Sequence, residues 1–316
     1  MGWREAVVER LCGDRLEPLA ACLQSLGLPP GADRGRTVRW LAQNPHGSAL
    51  VVRFKDEPLD AGLLIALPRR FCVEGCPVMA IDPVTLFVPP RRRTLGPVLH
   101  LQRALEWAAM AQGAGFLLAT PPVGAGAVYR RRGFRCLGDL RRWTWAIEPG
   151  LKGGAAVEVA PGEVLAAASG ASSGAEAIVC YAWDRNVLRW RFDFGASGIF
   201  WVVCQGIDGK QWAVVRAVRR VGIVEAYGGD DREAGSGWSR EAMAALYRWA
   251  ASRHLARLVF YALDGSVVAC HYRRWQLRPQ DATRSLWVKP LKQDRTDVLL
   301  DPSRWQFDRA LCGAVL

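Results

Sequence analysis

Residues 84–134 carry the most informative pattern of the chain, VTLFVPPRRRTLGPVLHLQRALEWAAMAQGAGFLLATPPVGAGAVYRRRGF. The pattern predicts, in order, a strand, an arginine-rich turn, an amphipathic helix, a buried strand, a short helix and a Gly-Phe stop. The helix over 96–112 repeats apolar residues at helical spacing. The run at 116–119 is short and wholly apolar, which is typical of a central strand.

The turn between the first strand and the helix has the residues of an anion site. It reads Val88-x-Pro90-x-x-Arg93-x-x-Gly96. The beginning of a helix presents backbone N–H groups without intrahelical partners, and its dipole favours negative charge. Arginines beside that point add positive charge, so the turn suits a phosphate group.

This order of parts resembles the acyl-coenzyme A binding core of the GNAT acyltransferase superfamily, well over residues 37–147 and loosely over 184–290. The family pattern is Val-x-Pro-x-x-Arg-Gly-x-Gly-x-Gly, or alanine last, whereas this chain has Thr94 and Val98 at two of the small positions. Val98 would push the cofactor outward, weaken its binding, or mark a domain that has lost the cofactor. The resemblance implies that acetyl-CoA, or another acyl-CoA, binds at Leu86, Phe87, Val88, Arg91, Arg92, Arg93, Thr94, Leu95, Gly96, Pro97 and Val98.

A second family feature follows downstream. Tyr129-x-x-x-Gly133-Phe134 lies at the distance that the superfamily uses, and Gly133 is placed to end the helix in the left-handed conformation. The resemblance gives Tyr129 the role of general acid toward the departing coenzyme A thiolate. The alternative is a tyrosine packed on the sheet. The chain departs from many relatives at Pro121-Pro122, where they carry an asparagine.

The chemistry of such a family is direct attack of an amine on a thioester carbonyl. It needs a base, donors for the developing oxyanion and an acid. Backbone N–H groups of strand 84–88 would supply the donors. Asp82 and Glu225 are the candidate bases, and the alternative for each is an ordinary turn or edge carboxylate. Neither Cys12 nor Cys136 has a nearby histidine in sequence, so a covalent nucleophile has no support.

Three sequence elements recur in the same order in both halves. The matches are Val38-Arg39-Trp40 with Leu188-Arg189-Trp190, Trp107-Ala108-Ala109 with Trp249-Ala250-Ala251, and Tyr129-Arg130-Arg131 with Tyr272-Arg273-Arg274. Their similar offsets indicate a duplicated unit of roughly 150 residues. The predicted fold class is α+β, with two tandem GNAT-like domains, 1–149 and 150–316, each a mixed twisted sheet flanked by helices. The breaker at 149–154 marks the boundary.

The second half contains a literal Arg-x-x-Gly-x-Gly at Arg232, Gly235 and Gly237. Asp230, Asp231 and Glu233 surround it, and carboxylates repel a pyrophosphate. We therefore interpret the second half as a degenerate copy that frames the acceptor pocket or has a structural role. The similar two-domain mycothiol synthases use their C-terminal copy, so which half is catalytic stays open.

Further segments are predicted from hydrophobic patterns and caps. The N-terminal stretch 3–24 is predicted to be one helix. Strands are expected at 49–54, 61–67, 78–88 (interrupted near Asp82-Pro83), 143–147, 155–160, 199–204, 211–218, 221–227 and 257–262. A helix is expected over 239–254, with Ser239 as its N-cap.

Composition narrows the class of protein. No apolar run of the 316 residues approaches the ~20 residues of a membrane span, and the N-terminus does not read as a signal peptide, so we expect a cytoplasmic protein. The chain has nine cysteines but no CxxC motif, and no histidine lies at metal-ligand spacing from a cysteine. This predicts mostly buried thiols and no metal site. The net charge is +12, but 37 of the 42 basic residues are arginine and their clusters lack interleaved aromatic residues. That pattern favours an anionic cofactor over nucleic acid.

The sequence therefore predicts an N-acyltransferase that moves an acetyl or other acyl group from coenzyme A to an amine. The Arg-Trp elements resemble those of bacterial proteins associated with envelope polysaccharides, which makes an amino sugar the leading acceptor. One alternative is a Fem-like aminoacyl transferase that uses charged tRNA. Another is a non-catalytic binding protein built from two decayed copies.

Overall fold

A computed structural model describes most of the chain. The described residues are 5–27, 34–122, 125–148, 156–161, 163–164, 179–192, 198–205, 210–229, 239–282 and 284–306. The predicted boundary segment 149–154 and the second-half loop around Arg232, Gly235 and Gly237 lie outside them.

The first half alternates strands and helices. Its elements are β1 (Ala6–Arg10), α1 (Gly13–Ser25), α2 (Arg34–Ala42), β2 (Leu50–Phe54), β3 (Leu63–Val73), β4 (Cys76–Phe87), α3 (Leu95–Ala111), β5 (Phe116–Ala119), α4 (Gly126–Arg131) and β6 (Arg135–Ala146).

The second half has a similar succession of strands and helices, with additional short elements. Its elements are β7 (Ala156–Glu158), β8 (Val179–Tyr181), α5 (Arg185–Arg191), β9 (Ile199–Gln205), β10 (Lys210–Val218), β11 (Val221–Gly229), α6 (Arg240–Ser252), β12 (Arg257–Leu263), α7 (Val267–Arg274), β13 (Arg278–Pro279), β14 (Arg284–Pro290), α8 (Thr296–Leu300) and β15 (Trp305–Gln306).

All described strands join one mixed sheet, with the order β1-β2-β3-β4-β5-β14-β6-β12-β11-β10-β9-β7 along its main path. Strands β4 and β5 are parallel, as are β11 and β12, and the other neighbours on this path are antiparallel. Helix α3 packs over one face of the first-half strands and α1 and α2 over the other. The α+β class with a large mixed sheet flanked by helices is thus confirmed.

The two halves exchange a strand at the centre of this sheet. Strand β14 of the second half lies between β5 and β6, and β6 of the first half pairs with β12. Trp287 on β14 faces Ala119 on β5, and Trp143 on β6 faces Phe260 on β12. The exchange buries a shared core between the halves, because apolar residues of both contribute to one cluster.

Side-chain contacts repeat on the two sides of this exchange. The ring of Tyr129 lies 6.3 Å from that of Trp287, and the ring of Tyr272 lies 5.9 Å from that of Trp143. The tryptophans of the two Arg-Trp elements also meet, because Trp40 and Trp190 stack with centroids 6.4 Å apart and planes 4° apart. Residues of the matched sequence elements in the two halves therefore make similar contacts.

The prediction of a single helix over 3–24 is wrong. Ala6–Arg10 is a strand, and the helix spans Gly13–Ser25. The strand pairs antiparallel with β2, so residues such as Val7 and Val8 complete the edge of the sheet. Valine favours strands when a partner is present, and only the folded sheet supplies that partner.

The expected interruption at Asp82-Pro83 is a bulge inside a continuous strand. Ile65 faces Thr85 and Ala66 faces Pro83, so Val84 is the extra residue on β4. A proline lacks the N–H of a regular ladder and is tolerated at such a bulge. Strand β3 also runs further than predicted, from Leu63 to Val73.

One of the matched sequence pairs is shifted by a residue. Helix α3 ends with Ala114 N–H donating to Ala109, and α6 ends with Leu255 N–H donating to Ala250. These equivalent turns align Trp249 with Ala108 rather than with Trp107. The burial agrees, since Trp107 is 59% exposed and Trp249 only 5%.

The cysteines are more exposed than predicted. Of the cysteines in the described ranges, Cys204 alone is buried, whereas Cys12, Cys76, Cys136 and Cys270 are exposed. The surface positions follow from turns, strand ends and helix faces that the sequence pattern did not resolve.

Candidate active site

The first-half strands separate at the position of Asp82. Strands β4 and β5 are paired at Ala80 with Phe116 and at Ile81 with Leu117. Strand β4 continues to Phe87, whereas β5 ends at Ala119 and its other edge is occupied by β14. The part of β4 beyond Ile81 therefore has an open edge toward β5, where its backbone groups are available to a bound molecule.

The turn after β4 leads into α3. Val88 is buried, and a single 3₁₀ turn over Pro90–Arg92 follows it. Thr94 is the N-cap of α3, but its side chain makes no capping hydrogen bond. The N–H groups of Leu95 and Gly96 in the first turn have no intrahelical carbonyl partner, and the Thr94 side chain does not compete for them, so they are available to an anion. Pro97 contributes no N–H.

The three arginines of the turn have different surroundings. Arg92 forms an ion pair with the buried carboxylate of Glu57. Arg93 donates from Nε to the carbonyl oxygen of Val88 at 3.2 Å, and Arg91 is exposed. Glu57 offsets one positive charge, which leaves Arg91 and Arg93 to act on an anion. Sequence reasoning missed Glu57, which lies far from the turn in the chain.

Val98 points into the protein. It is half-buried and packs against the core cluster beneath α3, beside Leu86. Its side chain therefore contributes to helix packing. Leu95 is 36% exposed at the first turn, and Phe87 is half-buried. The strand end and turn offer mainly backbone groups and arginine side chains to a ligand.

Tyr129 is held rigidly at the other side of the opening. It lies on α4, is 7% exposed, and packs edge-to-face on Phe134 with centroids 5.3 Å apart. The φ angle of 79° at Gly133 lets the chain turn back so that Phe134 N–H donates to the Tyr129 carbonyl at 3.1 Å. Burial and the charge of Asp82 raise the pKa of Tyr129 to about 12, so its hydroxyl keeps its proton at neutral pH.

Asp82 is fully buried rather than a turn or edge carboxylate. It is 1% exposed, and Oδ2 lies 2.7 Å from Nε of Arg69 on β3. Burial raises the pKa of Asp82, while the positive charge of Arg69 opposes this rise. A carboxyl group with a raised pKa and an open neighbouring strand edge is suited to proton transfer.

Arg284 enters this site from the second half. It begins β14, and its Nη1 donates to the carbonyl oxygen of Thr120, just beyond β5, at 2.6 Å. Its positive charge lowers the pKa of both Asp82 and Tyr129, against the larger effect of burial. Sequence reasoning missed Arg284, because only the strand exchange brings it here.

The second-half positions that match Asp82 and Arg284 are apolar, whereas Tyr129 is matched by Tyr272. On β11 the bulged residue is Glu225, so Glu225 matches Val84, and Ile223 matches Asp82. Arg284 on β14 faces Pro122, which follows β5. In the second half Leu140 on β6 faces Leu263, at the end of β12. Leu140 is therefore the counterpart of Arg284.

Glu225 has a different setting from Asp82. It is 2% exposed and forms an ion pair with Arg216 at 2.7 Å. The structure therefore does not place the two predicted bases at equivalent positions.

A buried polar chain joins the two halves behind Asp82. The Arg69 guanidinium lies 5.7 Å from the ring centroid of Tyr181. Arg191 at the end of α5 is half-buried, and desolvation of its guanidinium together with the charge of Arg69 lowers the pKa of Arg191 to about 10. The negative charges of Glu225 and Asp82 act in the opposite direction and raise the pKa of Arg191. Sequence reasoning missed Tyr181 and Arg191, which carry no local motif.

The described residues lack two broader features, a metal-ligand cluster and a membrane-spanning helix. They contain no cluster of three or more histidine, cysteine, aspartate or glutamate side chains arranged to hold a metal ion. None of the helices described combines the length and the apolar character of a membrane span.

The fold is shared with solved structures of acyltransferases. A probable N-acyltransferase from Enterococcus faecalis V583 matches with a TM-score of 0.66 at 9% sequence identity, over 90% of this chain and 73% of that one. A GCN5-related N-acetyltransferase from Anabaena variabilis matches with a TM-score of 0.66 at 10% identity, over 91% and 73%.

A third match has a bound acyl-coenzyme A. It is the N-myristoyltransferase of Saccharomyces cerevisiae with myristoyl-CoA, at a TM-score of 0.55 and 13% identity, over 91% of this chain and 83% of that one. No protein-family model matches the sequence, and no curated protein matches it. The chain therefore shares the fold of the GCN5-related N-acetyltransferases, although its sequence is only 9–10% identical to the first two of these structures.

Proposed function

We propose that this chain, which has the fold of the GCN5-related N-acetyltransferases, is an acyl-CoA-dependent N-acyltransferase with its active site in the first half. One observation carries the proposal. Asp82 follows the last paired residues of β4 and β5, the charges of Asp82 and Arg284 both act on Tyr129, and Arg284 contacts Thr120 just beyond β5. The second half has Ile223 and Leu140 at the positions of Asp82 and Arg284.

The coenzyme would be held by the strand end and the turn. The N–H groups of Leu95 and Gly96 suit its pyrophosphate, and Arg91 and Arg93 add charge. The uncapped helix start and the inward packing of Val98 support this fit. Backbone groups over 86–88 would line the pantetheine arm. The bound coenzyme supplies a thioester carbonyl as the electrophile.

The residues of the chain have the three roles that amine acylation needs. Asp82 accepts a proton from the acceptor ammonium, directly or through water, because its raised pKa favours proton uptake. Backbone N–H groups of β4 beyond Asp82 donate to the developing oxyanion. Tyr129 donates its hydroxyl proton to the departing sulfur, and Arg284 holds the mouth of the site through Thr120.

Finer assignments belong to the same proposal. We infer that residues 1–149 and 150–316 are tandem GNAT-like units, because nine elements recur in the same order and their central contacts repeat. The second unit then helps to form the acceptor pocket, since Arg284 comes from it. The acyl group is acetyl, and the acceptor is an amino sugar of the kind linked to envelope polysaccharides. We place the reaction in the cytoplasm.

Thermal unfolding with acetyl-CoA tests the binding step. A ligand that binds only the folded state raises the melting temperature by mass action. Arg93→Ala is expected to remove most of the shift. Arg232→Ala, in the second-half Arg-x-x-Gly-x-Gly, is the matched control and is expected to keep it. The opposite pattern would move the coenzyme site to the second half.

Acyl transfer to an amine panel, including amino sugars, tests the chemistry. Myristoyl-CoA is included because a long acyl chain is the natural competitor to acetyl. Turnover with acetyl-CoA and an amino sugar supports the full proposal. Tight tRNA binding that withstands physiological salt would favour the aminoacyl-tRNA alternative, because nonspecific binding fades with salt. Absence of transfer and of thioester hydrolysis across the panel would favour the non-catalytic alternative.

A further inference from the structure

Cys72 and Cys180 lie directly opposite each other where β3 pairs with β8. The strands are antiparallel, with Cys72 facing Cys180 and Val73 facing Val179. Residues that face each other in an antiparallel pair project to the same side of the sheet. The two thiol side chains therefore lie on one face of the sheet, at one position of the ladder. One comes from the first half and the other from the second.

The Cα spacing at this position lies within the range of disulfides. Ala182 N–H donates to the carbonyl oxygen of Arg70 at 3.0 Å, two residues from the cysteines on each strand. Hydrogen-bonded and non-hydrogen-bonded positions alternate along an antiparallel pair. Cys72 and Cys180 therefore also occupy a hydrogen-bonded position, where Cα atoms are about 5.5 Å apart. Disulfides usually join Cα atoms about 4.4–6.8 Å apart and Cβ atoms about 3.5–4.5 Å apart. Facing Cβ atoms at a hydrogen-bonded position lie nearer about 5.5 Å apart, so closing the bond requires a local change of strand twist. A bond strained in this way is more easily reduced, as an exchange site requires.

The nearest other cysteine lies on the wrong face for Cys72. Cys76 on β4 faces Val73, the residue after Cys72. Successive residues of a strand project to opposite faces, so Cys76 and Cys72 point away from each other. Cys76 is exposed, whereas Cys72 and Cys180 are half-buried and within reach of a small reagent. Register thus selects one partner for Cys72.

We propose that Cys72 and Cys180 form a thiol–disulfide exchange site that is closed by a small disulfide oxidant of the glutathione type. One cysteine thiolate attacks the oxidant, releases one small thiolate and forms a mixed disulfide. The second cysteine thiolate attacks the sulfur of the first cysteine and releases the other small thiolate. The two protein thiols lose two protons and two electrons, and the oxidant takes up the electrons and becomes two thiols.

The bond would fasten the two halves next to the buried polar chain. Strand β8 ends at Tyr181, whose ring lies 5.7 Å from the guanidinium of Arg69 on β3. Arg69 is the ion-pair partner of Asp82. The disulfide would therefore hold Tyr181 against the strand that carries Arg69. The inference stands on strand register and does not depend on the proposed acyl transfer.

Peptide mapping of the full-length protein tests the site. The reduced protein is exposed to oxidised glutathione, alkylated and digested with trypsin without reductant. Cleavage after arginine and lysine places Cys72 in peptide 71–91 and Cys180 in peptide 153–185. We expect these two peptides as one linked species that separates on reduction. It should form at lower oxidant concentrations than any other linked pair.

Cys76→Ser is the matched control, because Cys76 lies in the same tryptic peptide as Cys72. This variant is expected to keep the linked species, whereas Cys72→Ser and Cys180→Ser remove it. Fragment sequencing of the linked pair from the unmodified protein assigns the bond to position 72 or 76 without any substitution. A bond at Cys76, a different dominant pair, or only mixed disulfides with glutathione would overturn the proposal.

Discussion

Tyr129 and Asp82 have buried side chains whose charged forms are disfavoured by their surroundings. Burial raises the pKa of both groups, and Arg69 and Arg284 supply the opposing positive charge. Tyr129 keeps its proton and can act as the acid. Asp82 binds a proton more readily than an exposed carboxylate and can act as the base. The same burial makes each group sensitive to loss of its neighbours, because an unpaired buried charge is costly.

Tyr129→Phe separates catalysis from packing. The substitution keeps the ring contacts with Phe134 and Trp287 and removes only the hydroxyl. Affinity for acetyl-CoA should barely change, whereas kcat should fall by about 10²-fold or more, the scale for a positioned general acid. Steady-state kinetics and ligand titration measure the two effects. Full activity of the variant would show that water or another residue is the acid.

The alkaline stability of the protein should also depend on Tyr129. Its pKa rises from 10 in the unfolded chain to about 12 in the folded protein. Because the folded protein binds the hydroxyl proton more tightly than the unfolded chain, Tyr129 contributes to the free energy of unfolding. This contribution is fully present below pH 10 and is lost as the pH rises toward 12. The loss relative to Tyr129→Phe is at most about 3 kcal/mol.

Urea unfolding at about pH 9 and about pH 11 measures this difference. The free energy of unfolding of the parent protein should fall more than that of Tyr129→Phe between the two conditions. Equal losses in both proteins would mean that the hydroxyl ionises as easily in the folded state as in water.

At the scale of elements, the short helices α4 and α7 end in the same way with different residues. Gly133 has a φ of 79° and Gln276 a φ of 59°, both left-handed. Phe134 N–H donates to Tyr129 and Leu277 N–H to Tyr272, so the two turns have the same hydrogen bond. The geometry of the turn is thus kept in the second half, although glycine is absent there.

Exchanging glycine for a side chain, or the reverse, at these two turns should change the free energy of unfolding differently. Gly133→Ala places a side chain in the left-handed region and should lower the free energy of unfolding by about 1 kcal/mol. An added Cβ at Gly133 meets only Lys289 atoms at 3.7 Å, so sterics add little. Gln276→Gly relieves the same strain and should not destabilise the protein. Urea unfolding of both variants checks the pair. A loss of 1 kcal/mol or more in Gln276→Gly would show that its side chain stabilises the turn.

At the scale of the whole molecule, the strand exchange makes each half depend on the other. All sheet partners of β6 in the described structure are second-half strands, β12, β13 and β14. Strand β5 likewise has β14 on one edge. Without the second half, β6 has no partner for its backbone groups, and unpaired edges associate with other chains.

Separate expression of the two halves tests this dependence. Residues 1–149 alone and 150–316 alone should not form stable monomers, whereas co-expression should give a one-to-one complex that unfolds in a single transition. Size-exclusion chromatography and circular dichroism measure assembly and folding. A monomeric, cooperatively folded 1–149 that binds acetyl-CoA would contradict the dependence on the exchanged strand.

Local signals predicted much of the first half. The periodicity of residues 96–112 and the apolar run at 116–119 match α3 (Leu95–Ala111) and β5 (Phe116–Ala119). Ser239 caps α6 as predicted, since its side chain accepts a hydrogen bond from Ala242 N–H. Gly133 ends α4 in the left-handed conformation. These features depend on residues a few positions apart, so sequence patterns contain them.

Long-range pairing decided the rest. Ala6–Arg10 becomes a strand because the edge of β2 is open to it, and Arg284 reaches Thr120 because β14 enters between β5 and β6. The sequence alone determined the order of elements over residues 84–134, the arginine turn, and the Tyr129-x-x-x-Gly133-Phe134 end of helix α4. The tertiary structure decided the exchange and the composite site. The stability of a strand and the pKa of a buried group depend on which distant segments contact them. Local sequence patterns do not contain that information.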